Sequence, residues 1–307
     1  MFRRHSGILS VAMCYILVGS SYPIAKEAMD TIPTWTFAFI TFVIGFLILL
    51  PLTLTSDKTN WLRISFKNWF AICVQSMFGA VLYTVFLLYG LASTSAIAAS
   101  LITSAVPAVV LILSILFLKE KMRINTLFSV LLAVITVVMM TLPSSQSGGN
   151  NTFGGLILLS FSTLSTAVAV VAAKLIPSSM KPLTLAAGVC LTGAIFSVPM
   201  TLHELNNFNL SSITLHQSIV MIYYGVFVWA LPYIFFFYGI SRISAASAGM
   251  CMALIPIASM LASVMIYKEP VKLTDMVAML FIIISIVLSE LNLGRIYQKK
   301  NVGVLSK

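Results

Sequence analysis

The sequence predicts an all-α integral membrane protein of ten transmembrane helices, set as two inverted five-helix repeats. Three observations predict it. The 307 residues are 60% hydrophobic and only 8% charged, against about 25% charged in soluble domains, so a water-soluble globule would lack polar cover. Ten apolar runs are each long enough to cross a hydrocarbon core of about 30 Å at a rise of about 1.5 Å per residue. One stretch also occurs twice, at 89–120 (YGLASTSAIAASLITSAVPAVVLILSILFLKE) and, 149 residues later and without a gap, at 238–269. Nine of its 32 positions are identical, among them Gly90/Gly239, Pro107/Pro256, Ser114/Ser263 and Glu120/Glu269. Apolar composition alone accounts for about two or three, so one unit has been duplicated.

The runs lie at 7–29, 33–55, 68–90, 94–118, 124–142, 154–176, 182–202, 217–239, 243–267 and 273–293. The first follows Arg3 and Arg4 in the manner of a signal peptide. Its length and the sequence after it, Tyr22-Pro23-Ile24-Ala25-Lys26, offer no cleavage site, and it reads as a retained helix. The uncharged Ser/Gly/Asn-rich stretch 143–153 reads as a linker. It separates a first five-helix unit at 1–142 from a second at 154–294, with a tail at 295–307. The longest loop, around 203–216, has no room for a soluble catalytic domain.

Topology follows from the lysines and arginines. With the N-terminus inside, 15 of the 18 fall on one face of the membrane, leaving Lys26, Lys268 and Lys272 on the other. Both termini are then cytoplasmic. Five helices per unit is an odd number, so the second unit enters the membrane from the opposite side. Duplication with an odd count gives an inverted repeat, an architecture of transporters whose site lies near the midplane where the halves meet.

The residues at the end of the first helix, Gly19-Ser20-Ser21-Tyr22-Pro23-Ile24-Ala25-Lys26, and the fourth-helix run ending in Pro107 and Lys119-Glu120, repeated at Pro256 and Lys268-Glu269, carry a family likeness. Over nearly its whole length the chain resembles the EamA family of the drug/metabolite transporter superfamily. The likeness implies ten helices with the first, third and fourth of each half around a central cavity, and export of amino acids and other metabolites or uptake of nucleotide-like compounds. The sixth helix departs from the pattern: Thr166-Ala167-Val168-Ala169-Val170 replaces the glycine-containing turn, and Lys174 alone matches.

Several residues stand out as candidates. Gln75 and Tyr224, equivalent by the 149-residue offset, are polar groups deep in spans. A buried amide needs a partner, since leaving one unmet costs about 1–3 kcal/mol. They are expected to bind substrate from a wet cavity; hydrogen bonds between helices are the plainer alternative. Tyr22, Tyr83, Trp229 and Tyr233 add aromatic surface for an apolar or cationic solute. Ser100 and Ser104, with Ala96, share a small-residue face of the fourth helix, as Ala245, Gly249 and Ala253 do on the ninth, where Met252 completes the candidate contacts. Such a face serves close packing, static or sliding. Pro107 and Pro256 interrupt their helices and are candidate hinges. Lys26 with Glu269 at one end, and Lys174 with Glu120 at the other, are candidate gate pairs; two solvated helix ends are the alternative, since exposed pairs contribute only about 0–1 kcal/mol. Trp35 and Trp61 read as interface anchors.

Other classes lose support. No acidic or basic residue lies near the middle of any span, which argues against a proton relay. No P-loop points to ATP, and Cys14, Cys73, Cys190 and Cys251 lack metal-ligand spacing and read as small buried hydrophobes. No metal, cofactor or nucleic-acid partner is expected. The reading is a facilitator or exchanger of the inner membrane that moves small organic metabolites, chiefly amino acids or related amines. A nucleotide-like substrate such as S-adenosylmethionine is the second reading, and a lipid scramblase or an intramembrane enzyme a remote one. The duplication makes a monomer sufficient and a homodimer compatible.

Overall fold

A computed structural model describes residues 2–29, 32–103, 105–118, 152–176, 180–243, 251–252 and 254–268, with isolated positions at 128–135, at 248 and in 271–284. Among these residues the chain is helical throughout and contains no strand. The helices are α1 (Phe2–Ser20), α2 (Tyr22–Met29), α3 (Thr34–Leu52), α4 (Phe66–Ser76), α5 (Tyr83–Leu91), α6 (Ala96–Thr103), α7 (Val106–Leu118), α8 (Phe153–Leu175), α9 (Pro182–Leu205), α10 (Leu215–Tyr224), α11 (Leu231–Ile240) and α12 (Leu254–Tyr267). Turns of π-helix at Met77–Leu82 and Gly225–Ala230 join α4 to α5 and α10 to α11.

Among the described residues, six apolar helical stretches are long enough to cross a bilayer: His5–Ala25, Thr34–Asp57, Phe66–Leu91, Phe153–Leu175, Pro182–Leu205 and Leu215–Ile240. They coincide with the first, second, third, sixth, seventh and eighth predicted spans. The fourth span is cut into α6 and α7, and the ninth is described as a helix from Leu254 onward. The fifth and tenth spans and the linker fall mainly on residues outside those described.

Local chemistry sets the boundaries. The eighth span begins at Leu215 rather than at 217 because Thr214 closes a capping box: its hydroxyl accepts from Gln217 N, and Gln217 Oε1 accepts from Thr214 N at 2.8 Å. Thr152 caps α8 by accepting from Gly155 N at 3.1 Å. After α12, Lys268 takes a left-handed conformation (φ 51°), which ends the helix where the repeated Lys-Glu pair predicts a stop.

The contacts orient the bundle. We call the end at which α1 begins the basic end. There the close of α11 meets Gly7, the close of α8 meets Ile240, and the segment after α3 meets the start of α9. At the opposite end the close of α9 meets the start of α3, and Thr152 N donates to Ser93 O at 3.0 Å. The two halves interleave. In the first half α1 packs on α11 and α12 of the second, and α8 of the second packs on α5 and α7 of the first. Large apolar side chains such as Leu9, Leu47, Leu116 and Met265 point outward, while Phe42, Tyr22 and Trp229 are buried. That distribution suits a bilayer, where the surface needs no polar cover.

The α3–α9 pair, the most extensive packing among the described helices, is tied at both ends by carboxylates. The N-terminus of α3 has no side-chain cap of its own. Glu204, at the end of α9, supplies one: Trp35 N, Thr36 N and Thr36 Oγ1 donate to its carboxylate at 3.1, 2.8 and 2.9 Å. The N-terminus of α9 likewise lacks a cap, and Asp57, just past α3, accepts from Thr184 N at 3.1 Å and Thr184 Oγ1 at 2.6 Å. Each acid satisfies orphan donors and meets the positive end of a helix dipole.

Candidate functional site

A cavity lies between the halves. Its walls hold Tyr15, Tyr22, Gln75, Gly79, Tyr83 and Thr103 from the first half, and Thr166, Val170, Trp229, Pro232, Tyr233 and Phe236 from the second, with Cys14, Val106 and Ile255 among the smaller contributions. Aromatic rings dominate. No charged side chain is among the described residues that line it.

Broken helices build this space. The first span turns at Ser21, between α1 and α2. Pro23 explains the break, because it has no N–H to return to Gly19 O. The fourth span breaks before Pro107, where Ala105 N donates to Ile102 O in a tight turn at 3.0 Å. The ninth turns at Met252, before Pro256, with Ile255 N donating to Met252 O at 3.0 Å. In the eighth, Pro232 cannot donate to Val228 O, and the helix passes through a π turn. Tyr22, Thr103, Val106, Trp229 and Ile255 all sit at or beside these interruptions.

The π turn of the third span has no proline. Two of its carbonyls accept hydrogen bonds from the other half of the molecule: Ser165 Oγ donates to Phe78 O at 2.7 Å, and Tyr233 Oη donates to Gly79 O. Ser162 Oγ donates to Tyr83 O at 2.9 Å. Below the turn, Gln75 Nε2 donates to Ala169 O at 2.9 Å. Cross-half hydrogen bonds from side chains to backbone carbonyls thus tie the third span to α8 and α11.

Hydroxyls order the far wall. Thr103 Oγ1 lies 3.0 Å from Ala99 O and 3.2 Å from Tyr22 Oη, which is 3.2 Å from Tyr83 Oη. Thr103 donates to Ala99 O, so it accepts from Tyr22, and Tyr22 accepts from Tyr83. On the near wall Trp229 Nε1 donates to Thr41 Oγ1 at 3.1 Å, and its ring lies 4.4 Å from Phe42 and 5.7 Å from Tyr233, centroid to centroid. These contacts fix the orientation of the indole and the phenol.

The structure brings Tyr22, Gln75, Tyr83, Trp229 and Tyr233 together on the cavity. It does not bring Tyr224 there. Tyr224 is buried, its ring packs edge-on against Phe37 at 5.0 Å, and its hydroxyl donates to Ser21 O at 3.2 Å, bracing the turn of the first span. The equivalence with Gln75 therefore does not extend to position. Met252 is fully buried outside the cavity wall. The side chains of Ser100, Pro107 and Pro256, and Ser104 altogether, lie outside what the structure describes, as do Glu120, Glu269 and the side chain of Lys26. Of the expected gate pairs only Lys174 is described: its ammonium donates to Ile240 O at 2.7 Å and Ile243 O at 2.9 Å, at the negative end of α11.

Some cavity residues carried no signal. Thr103 and Phe236 look like ordinary members of apolar helices, Thr166 stands out only as part of a departure from the family pattern, and nothing in the sequence marks Met77–Leu82 as a π turn. Pro23 and Pro232 are visible, and the rule that proline interrupts a helix finds the breaks they cause.

Two interleaved halves around a cavity at helix breaks define a membrane transporter. The chain belongs to the EamA-like transporter family, whose model matches residues 5–142 and again 153–291, so the duplication is a repeat of the family's own unit. It is 29% identical over 270 residues to YetK of Bacillus subtilis (strain 168), described as an uncharacterized transporter, covering 87% of this chain and 82% of that one. It is 28% identical over 211 residues to an uncharacterized transporter of Archaeoglobus fulgidus, covering 69% and 74%. A solved crystal structure shares the fold, with a TM-score of 0.71 over 95% of this chain and 99% of the other at 18% identity.

Proposed function

We propose that this transporter exports or exchanges small organic metabolites across the inner membrane, amino acids or related amines above all, by alternating access between its halves. The observation that carries the reading is the uncharged, aromatic-walled cavity built by both halves at their helix breaks. With no fixed charge on the described wall, a solute's charge is offset by its own opposite charge, by hydroxyl dipoles, or by the faces of Trp229, Tyr83 and Tyr233. Zwitterions and organic cations meet that condition better than anions do. The lysine and arginine distribution supports cytoplasmic termini, and in this reading the basic end faces inward.

A second reading rests on the same rings: a nucleotide-like metabolite such as S-adenosylmethionine would stack its base on Trp229 or Tyr233 and present its sulfonium to a π face. Counterflow in proteoliposomes separates the two. Vesicles loaded with amino acids, polyamines, nucleosides or S-adenosylmethionine are assayed with and without a pH gradient. Exchange of amino acids or amines that ignores the gradient is the expected result. Movement of the nucleoside-type solutes alone replaces the first reading with the second, and movement of none of the panel overturns both.

A further inference from the structure

A second space lies at the basic end, bounded by Lys174, Met180, Pro182, Phe237 and Ser241. Ser241 is exposed at its rim. One residue, Gln75, lines both this vestibule and the central cavity. Its side chain is 6% exposed and spans from α4 to α8 through the bond from Nε2 to Ala169 O. Among the described residues, the vestibule and the cavity therefore meet at Gln75.

We propose that Gln75 is the inner gate of the transport path, and that its bond to the Ala169 carbonyl is the latch. The inference rests on the central cavity being the transport site. The chemistry suits the role. A neutral amide bonded to a backbone carbonyl is held by a single hydrogen bond of modest net strength, so it releases without separating charges. The amide then stays at the passage, where it can donate to a solute's acceptor as it lets go of Ala169. The bonded residue lies two residues before the π turn at Met77–Leu82, so a shift in that turn moves α4 relative to α8 and breaks the latch directly.

Cys14 lines the central cavity and not the vestibule, which makes it a built-in reporter. Full-length protein is reconstituted in vesicles of known orientation, a membrane-impermeant thiosulfonate is added on the basic side, and Cys14 labelling is read by peptide mass spectrometry. The comparison is wild type against Gln75→Leu, which keeps most of the bulk but loses the latch, and Gln75→Ala, which opens the partition. Loss of one neutral hydrogen bond shifts a two-state opening about fivefold to tenfold, so Gln75→Leu labels faster by about that factor and Gln75→Ala faster still. Folding of each variant is checked by monodispersity in detergent. The amino acid, polyamine, nucleoside or S-adenosylmethionine that exchanges fastest in the counterflow assay is then added to wild type as substrate. If it protects Cys14 but neither folded variant labels faster than wild type, Gln75 is no gate, and the transport site stands. If substrate fails to protect Cys14, the transport site itself is wrong.

Discussion

A tyrosine hydroxyl does different things at positions 224 and 233, and their surroundings explain why. Tyr224 donates to Ser21 O at the turn of the first span, away from the cavity. Tyr233 lines the cavity and donates to Gly79 O in the π turn. Losing a hydrogen bond of this kind costs about 0.5–1.5 kcal/mol. Tyr233→Phe is thus expected to lower the melting temperature in detergent and to reduce exchange. Tyr224→Phe is expected to lower the melting temperature with substrate affinity unchanged. Equal loss of affinity in both variants would remove the distinction. For ligand contact, Trp229→Leu removes the largest ring face on the cavity and is expected to weaken binding of amines by about tenfold, as fits a cation–π contribution of about 0.5–2 kcal/mol. Equilibrium binding of a labelled substrate tests this.

At the scale of elements, helix ends and helix crossings carry the fold. Glu204 and Asp57 each cap a helix of the other half, so the α3–α9 pair is clamped at both ends. Substituting a helix cap by alanine costs about 0.5–2 kcal/mol. Glu204→Ala and Asp57→Ala should each lower thermal stability by an amount in that range, and the double variant should show near-additive loss, because the two caps lie at opposite ends of the pair. Thermal unfolding of the four proteins tests additivity. Crossings elsewhere depend on glycine. A Cβ at Gly239 would lie 2.7 Å from Gly7 O and collide with Val11 Cγ2, and one at Gly155 would lie 2.6 Å from Ser93 Oγ and 3.2 Å from Gly90 O.

These two crossings acquire meaning at the scale of the whole molecule. Gly7 and Gly155 are 148 residues apart and Gly90 and Gly239 are 149 apart, so Gly7–Gly239 and Gly155–Gly90 are the same contact made twice. One lies at the basic end and the other at the opposite end. Alternating access requires one end to part while the other stays shut. A wedge at either crossing therefore biases the molecule in opposite directions. Gly239→Val is expected to raise Cys14 labelling from the basic side and lower it from the other, and Gly155→Val to do the reverse. Both variants changing labelling in the same sense would argue against a symmetric mechanism.

The sequence by itself determined the membrane setting, the duplicated unit and the prolines that interrupt the spans. Each of these is written in composition, length or the repeat at 149 residues, and needs no knowledge of neighbours. It also singled out Tyr22, Gln75, Tyr83, Trp229 and Tyr233, since large or polar groups inside apolar helices are conspicuous. Only the tertiary structure decided that Tyr224 and Met252 turn away from the cavity while Thr103, Thr166 and Phe236 line it. A 3.6-residue period says which residues share a face but not which way the face points, and a π turn rotates everything beyond it. The capping roles of Asp57 and Glu204 were hidden for a related reason. Their partners are 127 and 168 residues away, and only the interleaving of the two halves brings such distant groups within hydrogen-bond reach.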